Sequence, residues 1–108
     1  MEIKDAAELA LNVRDDYEKL EVSLYGRSWN KEELALGFVG DVGDLCKLVL
    51  ADSGVRKIAE HKSKLAHELS DCLWSLFVLA DKCDIDLEES FLETMKELKS
   101  HISAKLNT

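Results

Sequence analysis

Two pairs of acidic residues, each with a spacing of three, are the residues best placed to do chemistry. Asp41 and Asp44 lie in GFVGDVGDLCKLV, and Glu68 and Asp71 lie in LAHELSDCLW. Ionised carboxylates are costly in apolar surroundings unless a cation or a set of donors compensates them. Four oxygen donors without sulfur or imidazole suit a hard cation such as Mg²⁺ or Mn²⁺ better than Zn²⁺. The sequence therefore predicts a divalent metal site at these four carboxylates.

The elements that must position these acids are predicted to be helices. The chain has no Pro and five Gly, and it is rich in strong helix formers, which disfavours a turn-rich β fold. Asn30 with Glu33, and Asp86 with Glu89, have the spacing of capping boxes that open helices. Apolar residues at three-to-four spacing predict a single all-α domain over residues 1–108 with four helices, at 3–24, 31–51, 61–83 and 87–106.

The register of the second and third helices predicts that the two acidic pairs meet. In an antiparallel hairpin, residues equidistant from the centre of the loop stand level with each other. Residues 41 and 71 are equidistant from residue 56, and so are residues 44 and 68. All four carboxylates are therefore expected at one height of the hairpin.

One other interpretation of the acids remains open, and a second, a di-iron site, is disfavoured by the sequence. The carboxylates could form ion pairs with Lys47, Lys64 or Lys82 on a solvated helix face. A di-iron bundle needs a Glu three residues before a His in two helices, and neither His67 nor His101 has one. The ion-pair interpretation predicts separate surface acids, whereas the metal-site interpretation predicts convergence.

Residues 72–80, CLWSLFVLA, are apolar almost all the way round the third helix. A helix of this kind is buried on every side, and four helices in so short a chain cannot surround one of their number. We therefore expect a second subunit to supply the missing cover. The alternative is that Trp74 and Phe77 fill the core of a monomer.

Composition narrows the classes of partner. The net charge of −8 repels a nucleic acid backbone, although divalent cations can bridge an acidic protein to small phosphates. No apolar run reaches the roughly 18 residues of a membrane span. The start, MEIKDAAELA, lacks the pattern of a signal peptide, and three Cys without a C-x-x-C spacing fit a reducing cytoplasm.

Three segments, GRSWNKEELAL, GFVGDVGDLCKLV and LAHELSDCLWSLFVLADKCDIDLEESF, together resemble the MazG-like all-α nucleoside triphosphate pyrophosphohydrolase superfamily over about residues 25–95. The resemblance implies Mg²⁺ on the four carboxylates and cleavage of a nucleotide between its α and β phosphates, giving a monophosphate and pyrophosphate. It also implies a homodimer or homotetramer with a MazG-like bundle. Residues implied to contact the nucleotide are Arg27, Trp29 and Lys31.

The chain departs from the family pattern at two places. Asp41 and Asp44 stand where the family usually has glutamates, so the metal is expected closer to the second helix or held partly through water. The last helix has Thr94 and Leu98 where the family often has Lys and Asn for phosphate binding. These departures motivate an alternative, in which the chain is a catalytically weak or inactive nucleotide- or metal-binding oligomeric module.

Glu68 is the predicted catalytic base, because its longer side chain can reach past a metal's inner ligands to accept a proton from the attacking water. No nucleophile with a positioned base is evident. A third interpretation, a plain helical oligomerisation protein, treats all the acids as surface charge.

Overall fold

The computed structural model describes residues 1–108 and contains four α-helices and no β-strand. Helix α1 spans Ile3–Tyr25, α2 spans Lys31–Asp52, α3 spans His61–Lys82 and α4 spans Leu87–Leu106. The all-α class and the four predicted helices are confirmed, with each boundary within one residue of its prediction. None of the helices combines the length and apolar character needed to cross a membrane.

The helix starts follow the capping signals in the sequence. Asn30 accepts a hydrogen bond from the Glu33 amide at 2.9 Å, and the Glu33 carboxylate accepts one from the Asn30 amide at 3.1 Å, which completes the predicted capping box of α2. At the start of α4 the Asp86 carboxylate accepts a hydrogen bond from the amide of Glu89 at 3.1 Å, but the Glu89 side chain makes no return bond, so only half of the predicted capping box forms. Two helix boundaries are therefore fixed by local side-chain to backbone bonds.

Helices α2 and α3 form an antiparallel hairpin and make the most extensive contact in the chain. The buried residues of α2 are Leu34, Leu48 and Ala51, and those of α3 are Cys72, Ser75, Phe77 and Val78. Helix α1 packs against α3. Across the hairpin loop, the Asp52 carboxylate lies 2.8 Å from Lys62 Nζ and 3.3 Å from His61 Nε2, which ties the end of α2 to the start of α3.

Helix α4 buries none of its residues and packs on no other helix over a comparable length. An apolar stripe along it is about half exposed and consists of Phe91, Met95, Leu98 and Ile102. On α3, Leu73 and Leu76 of the all-round apolar segment remain 51% and 43% exposed. Within one chain, that segment is therefore covered on only part of its circumference.

The dimensions of the chain agree with this incomplete burial. Only 10 of 108 residues are buried, and the radius of gyration is 17.3 Å, against about 13 Å for a compact domain of roughly 100 residues. The core lies along the α2–α3 hairpin and beneath α1, and this is the part of the fold that positions the candidate site.

Candidate functional site

Three of the four predicted metal ligands converge in the structure. Asp41 and Asp44 project from α2 and Glu68 from α3, and each offers one carboxylate oxygen within 4.8 Å of the others. The i, i+3 spacing places the two aspartates on one side of α2, and the hairpin brings Glu68 level with them. None of the three acids forms an ion pair with Lys47, Lys64 or Lys82. Lys82 instead pairs with Glu18 at 3.1 Å.

Asp71, the fourth predicted ligand, lies beside the cluster with a partner of its own. Its carboxylate is 3.2 Å from Nε2 of His67, one turn earlier on α3. The negative charge of Asp71 nevertheless helps to raise the pKa values of Asp41 and Glu68. Asp71 thus contributes electrostatically to the site, while its own carboxylate lies against His67 of the same helix.

Burial and mutual repulsion both act on the clustered acids. Partial burial is the main cause that raises the pKa of Asp41, followed by the charges of Asp71 and Asp44. The pKa of Glu68 is raised by the same kinds of effect, burial first. Oxygen Oε2 of Glu68 is inaccessible to solvent and has no hydrogen-bond partner. An orphaned buried oxygen beside two further carboxylates is the donor set that a bound divalent cation would satisfy.

A cavity of about 610 Å³ opens between α1, α2 and α3, with Asp41 and Asp71 in its wall. Its aromatic lining residues are Tyr17, Tyr25, Trp29, Phe38 and Trp74. The rings of Tyr17 and Trp74 are tilted at 56° with centroids 5.7 Å apart. The indole Nε1 of Trp74 donates to the carbonyl of Ala10 at 3.0 Å, which fixes that ring in place. The cavity therefore combines flat apolar surfaces with carboxylates at one side.

Of the three residues implied to contact a nucleotide, Trp29 alone lines this cavity. The Arg27 guanidinium donates to both oxygens of Glu33, at 2.6 and 2.9 Å. This pairing and the capping bond from Asn30 lower the pKa of Glu33 to about 2. Lys31 is the exposed first residue of α2 and forms no ion pair. Arg27 is thus engaged in holding the α1–α2 loop.

A buried ion pair in the same cavity wall was missed by the sequence reasoning. Arg14 and Glu21, both on α1, are 3% and 7% exposed. The hydrogen bonds from Arg14 lower the pKa of the Glu21 carboxyl, and Glu21 in turn raises the pKa of Arg14. The available signal was their spacing of seven, which places two opposite charges two turns apart on one face of an amphipathic helix.

The site combines carboxylate oxygens, which are ligands for hard cations, with an aromatic-walled cavity whose volume is typical of small-molecule sites. Comparison of the chain with protein-family models, with curated proteins and with solved structures gives no match.

Proposed function

We propose that this protein is a Mg²⁺-dependent pyrophosphohydrolase that cleaves nucleoside triphosphates between the α and β phosphates, releasing a monophosphate and pyrophosphate. The observation that carries the proposal is the convergence of Asp41, Asp44 and Glu68 within 4.8 Å at the side of an aromatic-lined cavity. The resemblance of these helices to the MazG-like superfamily supports the choice of reaction.

The residues that would hold Mg²⁺, or Mn²⁺ in its place, are Asp41, Asp44 and Glu68, with Asp71 adjoining. When bound, the cation neutralises charge on phosphate oxygens in the transition state. Glu68 is the residue to which we assign proton transfer. Its Oε2 atom is buried without a partner, so this oxygen has a free lone pair that could accept a proton from an attacking water.

The nucleoside part of the substrate would occupy the 610 Å³ cavity. Aromatic faces bind bases by stacking, an interaction that tolerates every base because each has a π-face. Tyr17, Trp29 and Trp74 supply such faces. Because Asp41 lies in the same wall, a nucleoside bound there would have its phosphates next to the acid cluster. The aromatic cavity thus suits a flat base, and the acid cluster beside it suits a metal-bound phosphate.

A second candidate, a nucleotide- or metal-binding module without turnover, is favoured by one specific observation. The basic residues in the cavity wall are Arg14 and His67, and these are engaged with Glu21 and Asp71 respectively. A triphosphate therefore meets no free cationic side chain in the cavity, and all compensation for its charge must come from bound cations.

We propose further that the protein acts as a homodimer or homotetramer in the cytoplasm, with no nucleic acid polymer or membrane as partner. The apolar stripe of α4 has the spacing of a face that packs on another helix; it consists of Phe91, Met95, Leu98 and Ile102. Helix α3 has a similarly spaced set of exposed apolar residues, Leu69, Leu73 and Leu76. Three unpaired cysteines fit a reducing compartment. Light scattering should give a mass above that of one chain, reduced in Met95→Lys, whereas a monomeric native protein would refute the assembly.

Pyrophosphate release from a panel of ribo- and deoxyribonucleoside triphosphates tests the reaction. We expect release with Mg²⁺, none after chelation, and a loss of roughly 100-fold or more in Glu68→Gln, the range that a general base contributes. Glu8→Gln, an exposed acid of α1 outside the site, is the matched control and should retain activity. Undiminished release by Glu68→Gln would refute the assignment, and no release by a folded, metal-binding native chain would favour the binding module.

A further inference from the structure

The buried Arg14–Glu21 pair has a geometry that goes beyond the packing of α1. Arg14 Nη1 lies 2.8 Å from Glu21 Oε2, and Arg14 Nη2 lies 2.8 Å from Glu21 Oε1, so the pair is bidentate. Burial of two charges costs desolvation, and such a pair often stabilises a fold no better than apolar residues of the same size. The stability of the fold alone therefore does not explain why this pair stands in the cavity wall.

Glu21 also makes a third contact, outside its own helix. Oxygen Oε1 accepts a hydrogen bond from the backbone amide of Trp29 at 2.7 Å. Trp29 precedes Asn30, the N-cap of α2, so its amide lies before the helix and has no helical carbonyl to bind. The charged carboxylate thus satisfies an amide in the α1–α2 loop, and charge-assisted bonds of this kind are shorter and stronger than neutral ones.

The position of the Trp29 side chain links this contact to the acid cluster. The Trp29 ring lies against Gly37, where an added Cβ would be 4.0 Å from ring atom Cζ3. Gly37 is one helical turn before Asp41 and shares its face of α2, and all three residues line the cavity. The carboxylate of Glu21 therefore holds the backbone of a residue whose ring lies one helical turn from the proposed metal site.

Arg14, the basic member of the pair, is connected to α3 through Glu18. Arg14 Nε lies 3.5 Å from Glu18 Oε1, and the same Glu18 oxygen lies 3.1 Å from Nζ of Lys82. A chain of charged contacts thus runs from the end of α3 through α1 to the loop before α2. Trp29 belongs to a loop, but these contacts connect its backbone to helices α1 and α3.

We infer that Glu21, oriented by Arg14, is a positioning residue that holds Trp29 at the cavity in the place where it packs on the nucleoside of the substrate. This inference rests on the proposed function. Because Trp29 belongs to the cavity and the acids carry out the reaction, loss of the tether should weaken substrate binding and leave the chemical step nearly unchanged. In kinetic terms, KM should rise while kcat changes little.

Two double variants test the inference without leaving a lone buried charge. Arg14→Met with Glu21→Met removes the pair and every acceptor for the Trp29 amide. Arg14→Met with Glu21→Gln also removes both charges but retains a carbonyl oxygen for that amide. Thermal melts first establish that both variants fold, and the comparison between them then isolates the tether from the ion pair.

The first readout is hydrogen exchange of the Trp29 backbone amide, followed by NMR, and it needs no nucleotide. We expect protection in the native chain and in the Gln variant, and exchange at least roughly tenfold faster in the Met variant, since a hydrogen bond to a charged group is lost. Equal exchange rates in the two variants would overturn the inference.

The second readout is the pair of kinetic constants for nucleoside triphosphate hydrolysis with Mg²⁺. We expect a KM roughly tenfold higher in the Met variant, a kcat within about twofold of the native value, and a KM near native in the Gln variant. Equal KM values in the two variants, or a fall in kcat alone, would overturn the inference. Absence of turnover in the native chain would overturn the proposed function and the KM effect with it, while the exchange rates would still decide whether Glu21 holds Trp29.

Discussion

Replacement of Asp41 by Asn should stabilise the metal-free protein, because it removes one of three converging negative charges. The carboxylate oxygens lie within 4.8 Å of one another. Two unit charges at that distance repel by about 3.5 kcal/mol at an effective dielectric constant of ~20 and by about 0.9 kcal/mol in bulk water. The repulsion is weakened because Asp41 is partly exposed and because protonation of the acids also relieves it. We therefore expect Asp41→Asn to raise the free energy of unfolding by about 1 kcal/mol, which corresponds to about 4–8 °C in Tm.

The same substitution should remove most of the response to Mg²⁺. Binding to the folded state alone stabilises by about 2.7 kcal/mol when the free cation is present at 100 times its Kd. The assay is thermal unfolding at one fixed protein concentration, in chelator and in Mg²⁺. Asp16→Asn is the matched control, since Asp16 is exposed and forms no ion pair, and it should leave both the Tm in chelator and the Mg²⁺ response unchanged.

The pH dependence of the metal-free protein follows from the raised pKa values of Asp41 and Glu68. The folded state holds these protons more tightly than the unfolded state. Between the ordinary carboxyl pKa and the raised folded pKa, the unfolded state therefore binds fewer protons and stability falls as pH rises. Asp41→Asn should flatten this fall, and saturating Mg²⁺ should reverse it, because the cation binds the ionised carboxylates.

A single result would refute this reasoning about the cluster. If Asp41→Asn leaves the Tm in chelator unchanged and responds to Mg²⁺ as the native chain does, the three acids neither repel one another appreciably nor hold the cation. The surface-charge interpretation of the acids would then stand.

Three further predictions concern the helices that carry the site, and each is measured by thermal or chemical unfolding. Glu60 has φ of 56° at the start of α3, so Glu60→Gly should gain up to about 1 kcal/mol, whereas a loss would show that its side chain compensates for the strain. Asn30→Ala should cost about 1 kcal/mol through loss of the α2 cap, and no change would mean that α2 starts without it. Gly40→Ala, with nothing within 4 Å of the added Cβ, should gain up to about 1 kcal/mol from helix propensity, and a loss would indicate that another copy packs closely there.

The helices and their starts could be predicted from the sequence because the interactions that define them are local. The Asn30–Glu33 capping box is closed by bonds within four residues, and apolar spacing alone marks the extent of each helix. The convergence of Asp41, Asp44 and Glu68 was predictable as well, since it needs only helical periodicity and the register of one hairpin with a short loop.

Other features depended on the tertiary structure, because they join groups whose positions no local pattern specifies. The indole of Trp74 on α3 donates to the carbonyl of Ala10 on α1, and no spacing along the sequence specifies that these two groups meet. The contact between Glu21 and the Trp29 amide needs the path of the α1–α2 loop across the end of α1. Sequence determined the helices and the acids they carry, whereas the packing of α1 and its loop determined the cavity beside them, since the hydrogen bonds and burial that form it arise only when separate helices meet.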